Sequence, residues 1–94
     1  MPYIPQGQRI QLDPVIEKLS CKVGELCKPK NKPALDPDGM LNYVFTRLLI
    51  AMDLSSYVRL ERAVGILECA KLELYRKAAA PYEDMKASDN GEVY

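Results

Sequence analysis

Proline placement constrains this chain more than any other feature, because proline holds φ at about −65°, lacks an N–H donor and breaks a helix interior. Prolines stand at positions 2, 5, 14, 29, 33, 37 and 81. They crowd the N-terminus and the segment 28–38, and leave 38–80 clear. Helices are therefore expected where the clear stretches also carry apolar residues at helical spacing.

The first residues hold Pro2, Pro5 and Gly7, and Arg9-Ile10-Gln11-Leu12 alternates polar with apolar, so 1–12 reads as an extended arm. Asp13-Pro14 then supplies an N-cap and a first-turn proline, which starts a helix over 13–27. Ile16, Leu19, Val23 and Leu26 fall on one stripe of it, with Glu17, Lys18, Lys22 and Glu25 on the wet side. The stretch KPKNKPALDPD, 28–38, has three prolines and no periodicity and is expected to be a loop.

Asp36 and Asp38 compete to cap the next helix, 39–54. Leu41, Val44, Phe45, Leu48, Leu49 and Met52 cover most of its circumference, which predicts the central, most buried helix. Ser55-Ser56 ends it and caps a third helix over 57–80, where Leu60, Ala63, Leu67, Ala70 and Leu74 form a seam widened by Val64 and Ile66. Pro81 is expected to interrupt that helix and open a tail, 81–94, with a turn or two of helix over 82–87 and a turn at Asp89-Asn90-Gly91. The expected fold is all-α: a single domain, 1–94, forming a small three-helix antiparallel bundle with an extended N-terminal arm and a C-terminal tail. A chain of 94 residues buries only about 60–65% of its unfolded surface, less than a larger domain does, so a homo-oligomer is expected.

Composition removes several function classes. There is no histidine, which excludes Ser-His and Cys-His nucleophile pairs and His-containing zinc sites. Thirteen Lys and Arg balance thirteen Asp and Glu, so no global positive field collects nucleic acid or anionic lipid, and the run Lys28, Lys30, Lys32 reads as solvated loop. The apolar stretch from Tyr43 to Leu54 is broken by Thr46, Arg47 and Asp53 and is too short for a bilayer. Cys21, Cys27 and Cys69 are odd in number and MPYIPQGQRI has no basic region followed by an apolar run, so a reducing cytoplasm is the expected compartment. Cys69 reads as a small core residue.

The third helix carries what chemistry there is. Glu61, Gly65, Glu68, Leu72 and Tyr75 follow at helical spacing, which puts two carboxylates on one face with a glycine between them. A mid-helix glycine costs about 1 kcal/mol against alanine, so Gly65 implies either close helix packing or a ligand lying against it. Tyr75 and Tyr82, with Arg62, Lys71 and Arg76 near by, offer a surface that stacks a base and neutralises a phosphate. Arg62, Gly65, Glu68, Lys71, Tyr75, Arg76 and Tyr82 are thus the candidate ligand-binding residues. Glu61, Glu68 and Glu73 are the alternative set, holding Mg²⁺ for an all-α nucleotide hydrolase. Ordinary intrahelical pairs, Glu68 with Lys71 and Glu73 with Arg76 or Lys77, account for the same charges without a ligand.

GILECAKLELYRKAAAPYEDMKASDNGEVY at the C-terminus and LNYVFTRLL in the second helix carry a resemblance. Gly65-Ile66-Leu67-Glu68-Cys69, then Tyr75-Arg76, Pro81-Tyr82-Glu83-Asp84 and Asn90-Gly91, resemble a family of small helical proteins of phages, prophages and related mobile elements. The lysine-rich loop at 28–33 departs from that pattern in length and charge. The resemblance implies an all-helical fold and a phage-like setting, and it brings no catalytic residue and no cofactor. The function expected on this footing is a non-enzymatic binding protein acting on a host partner protein or a small anionic, nucleotide-like ligand. The alternatives are the Mg²⁺-dependent hydrolase and a purely structural oligomeric subunit.

Overall fold

A computed structural model describes residues 2–30 and 32–94. Met1 of the expected arm and Asn31 of the expected loop lie outside the described residues. The chain is all-α, with helices α1 (Gln6–Cys27), α2 (Pro37–Ile50), α3 (Tyr57–Leu74) and α4 (Ala80–Asn90) and no strand among the described residues. A π-helical segment, Tyr75–Ala79, joins α3 to α4 without a break, so three helical stretches make up the fold. Backbone contacts gather these into two compact units, residues 3–53 and residues 54–94 with Pro2.

α1 starts seven residues before the cap expected at Asp13, and the arm shrinks to Pro2–Pro5. Pro5 takes the position before the first turn, where its carbonyl accepts from the N–H groups of Gln8 (3.0 Å) and Arg9 (3.2 Å). Arg9 also reaches back, its Nε donating to the Ile4 carbonyl at 2.7 Å. Pro14 therefore lies inside the helix and not at its start. It leaves one carbonyl of the preceding turn without its helical donor. The far end, Cys27, agrees with the sequence expectation, and the Leu35 N–H then bonds back to the Leu26 carbonyl at 3.1 Å.

Asp36 wins the contest for the α2 cap: its carboxylate accepts from the N–H groups of Asp38 (3.1 Å) and Gly39 (3.4 Å), with Pro37 in the first turn. α2 ends four residues earlier than expected, where the Met52 N–H tightens onto the Leu49 carbonyl at 2.9 Å. Ser56 caps α3 through the Arg59 N–H at 3.2 Å, which puts the start of α3 at Tyr57 as the sequence indicates.

Burial departs most from expectation. α2 contains no buried residue: Leu41, Phe45 and Leu48 are 42, 52 and 61% exposed. An apolar circumference buries only what a neighbour covers, and inside its unit α2 meets α1 alone. Among the described residues the one buried apolar side chain is Ala63, 5% exposed, in the α3 seam.

Pro81 does not stop the third helix. Proline clashes with the carbonyl four residues back in a regular helix. The π segment relieves this by widening one turn, with the Ala80 N–H reaching five residues back to the Tyr75 carbonyl. Pro81 then falls in the first turn of α4, where a missing N–H costs little. The helix continues to Gly91, whose φ of 97° and N–H bond to the Ala87 carbonyl (2.9 Å) close it. The expected Asn-Gly turn is this C-cap.

Candidate functional site

All seven candidate ligand residues lie on the continuous helix of the C-terminal unit. Arg62 and Gly65 meet in one open groove on α3, bordered by Ile66, Cys69, Ala70 and Pro2. A Cβ built on Gly65 meets nothing within 4 Å, so among the described residues no close helix packing requires this glycine. Cys69 is exposed in that groove, where the sequence reads it as core. Small size suits a groove floor as well as a core, so the residue type alone does not tell the two apart.

The remaining cations are already engaged. Lys71 Nζ lies 3.0 Å from Glu68 Oε1, both side chains more than half exposed. Arg76 Nη2 donates to Glu73 Oε1 at 2.8 Å. The intrahelical pairing thus takes up two of the three cations of the proposed phosphate site. Tyr82 stacks with a different cation, Lys86, whose Nζ is 5.6 Å from the ring centroid.

Tyr75 and Tyr82, seven residues apart, would share a face on a regular helix. The π segment adds one residue between them, which turns Tyr82 by about 100° around the axis relative to Tyr75. The two tyrosines, 58 and 53% exposed, do not close on one pocket.

The alternative metal set does not gather either. Along one helix Glu61 and Glu68 are separated by about 10 Å of rise, and Glu68 and Glu73 point to different sides. Among the described residues no group of three or more Asp, Glu or Cys is placed to hold a metal ion.

The N-terminal unit holds a feature that the sequence reading assigned to a closed core. Ile16, Leu19 and Val23 of α1 and Leu41, Val44, Phe45 and Leu48 of α2 line a cleft with only Ser20 for a polar member. At its edge Arg47 Nη1 donates to the Tyr43 hydroxyl at 2.7 Å and sits 5.7 Å over the ring. The apolar stripes name these residues, but periodicity does not tell a filled core from an open cleft.

The sequence pattern of a domain of unknown function (DUF6899) matches residues 1–93, and the chain belongs to that family. Neither a curated protein nor a solved structure matches it.

Proposed function

We propose that this DUF6899-family chain is a non-enzymatic interaction protein that functions as an assembly, its helix faces completed by protein. The observation that carries this reading is the exposure of its apolar stripes: Ile16 54%, Leu19 40%, Phe45 52%, Leu60 46%, Leu67 41% and Leu74 68%. Each such side chain gains about 1.5–3 kcal/mol on full burial, and contiguous exposed apolar surface is the mark of a protein contact. The phage or mobile-element setting implied by the resemblance, and a cytoplasmic compartment, belong to the same proposal.

Sedimentation equilibrium combined with far-UV circular dichroism tests it. The expected result is a mass above 10.6 kDa and a melting temperature that rises with protein concentration, because folding and association are linked. A stable monomer whose melting ignores concentration would sink the reading.

One observation favours a second role for the same assembly, capture of a small anionic, nucleotide-like ligand: Arg62 and Gly65 share the α3 groove. ATP titrated into the labelled protein should shift the amide resonances of Arg62 to Ala70, and Arg62→Ala should abolish those shifts. An unperturbed spectrum at millimolar ATP removes this role.

A further inference from the structure

We infer that the α3 groove selects a ligand with a single phosphate group on a flat apolar body, a nucleoside monophosphate in preference to a di- or triphosphate. This rests on the reading of the groove as a nucleotide-like site and names the class of ligand that fits it.

The lining sets the charge of the ligand. Arg62 is the one charged residue that borders the groove. Among the described residues it makes no hydrogen bond and no ion pair, so its guanidinium has no counter-ion within the chain. A planar guanidinium takes two oxygens of one phosphate side by side. A second or third phosphate meets no further cation, because Arg59, Lys71, Arg76 and Lys77 are all absent from the lining. Lys71 and Arg76 are held besides by Glu68 and Glu73. No carboxylate lines the groove, so a bound anion meets no like charge there.

The rest of the lining sets the body. Nothing stands within 4 Å of a Cβ built on Gly65, so a ring can lie close to the helix backbone at that point. Cys69 follows one turn later, with Ala70 beside it, and keeps the same strip low. Ile66 and Pro2 rise beside it as apolar walls. Pro2 gathers with α3 in one compact unit, so floor and walls are complete within that unit.

Charge and shape have to be met together. A free phosphate ion would pair with Arg62 and leave the apolar strip wet, whereas an uncharged ring would cover the strip and leave the guanidinium unmatched. A nucleoside monophosphate meets both with one molecule. The groove, of about 490 Å³, falls in the range of roughly 300–1,000 Å³ that small-molecule sites occupy.

The test uses the full chain, isotope-labelled and titrated at one ionic strength with adenosine, inorganic phosphate, AMP and ATP, with the amide resonances as the readout. AMP is expected to shift Arg62 to Ala70 and to bind about 10-fold or more tightly than adenosine or phosphate alone. ATP is expected to bind no more tightly than AMP. Arg62 is exposed and unpaired, so Arg62→Ala should keep the helical signal and weaken AMP about 10-fold, to the level of adenosine. Should that variant lose its helical signal, Arg62→Gln, which keeps most of the aliphatic stem, decides in its place. ATP that binds more tightly than AMP overturns the single-phosphate assignment and leaves the nucleotide reading standing. Adenosine that equals AMP, or AMP binding that ignores the loss of Arg62, overturns the counter-ion, and inorganic phosphate that equals AMP overturns the apolar body. Shifts confined to residues outside 62–70 overturn the groove as the site. A spectrum that none of the four compounds perturbs overturns this inference and the nucleotide reading together.

Discussion

Glu73 Oε1 lies 2.8 Å from Arg76 Nη2, with the carboxylate side chain 17% exposed and the guanidinium side chain 62% exposed. The acid is the anchored partner and the arginine folds down onto it, one turn further along. A double-mutant cycle with Glu73→Ala and Arg76→Ala should give a coupling of about 0.3–0.5 kcal/mol. Because Arg76 faces water, the coupling should fade at about 1 M salt, where the screening length is about 3 Å. Thermal melts at low and high salt measure it, and a coupling that ignores salt would contradict this geometry.

Pro81 and the π segment stand as cause and consequence. If the widened turn exists to free the proline ring from the carbonyl four residues back, Pro81→Ala removes the need for it. A regular helix from Tyr57 to Asn90 should then form, with a stability gain of about 1–3 kcal/mol. At about 4–8 °C per kcal/mol for a chain of this size, melting followed at 222 nm resolves the change. An unchanged or lower midpoint would mean that contacts elsewhere, and not the proline, hold the π turn in place.

What the sequence made legible was local. The caps at Asp36 and Ser56 each depend on one side chain acting on the nearest backbone, and the ends at Cys27 and Gly91 on backbone bonds within the last turn. The Glu68–Lys71 and Glu73–Arg76 pairs follow from spacing alone, and they engage two of the cations in the candidate ligand set. Pro14 misled because a proline suits a first turn so well that the cheaper assignment starts the helix there. Pro5 offers an equally good start, and the structure takes it, with the Pro5 carbonyl accepting from Gln8 and Arg9 and the Arg9 side chain bonding to the Ile4 carbonyl. Pro81 misled in the opposite sense, since a break and a widened turn look alike in sequence. The burial of α2 was not legible at all: an apolar circumference states what a helix needs, and its neighbours determine what it gets.

The Asp36 cap should be worth more than the Ser56 cap. Asp36 satisfies two backbone donors at the α2 N-terminus with a full negative charge, where the helix dipole favours one. Ser56 satisfies one donor with a neutral hydroxyl. Asp36→Ala is expected to cost about 1–2 kcal/mol and Ser56→Ala about 0.5–1 kcal/mol. Urea denaturation of the two variants at equal protein concentration orders them, and the reverse order would show that the α2 start is fixed by Pro37 more than by its cap.

Gly65 gives the sharpest separation of folding from function. In the middle of α3 it costs about 0.5–1 kcal/mol against alanine, and an added Cβ there meets no atom within 4 Å. Among the described residues no contact therefore makes steric use of it. Gly65→Ala should raise the stability of α3 by about that amount, read as a higher urea midpoint with an unchanged slope. If the Arg62–Gly65 groove holds a ligand or a neighbouring backbone, the same methyl occupies that space. Binding of ATP, or assembly through α3, then weakens as the chain becomes more stable. A variant that gains stability and loses neither would show that the glycine serves no contact of the chain.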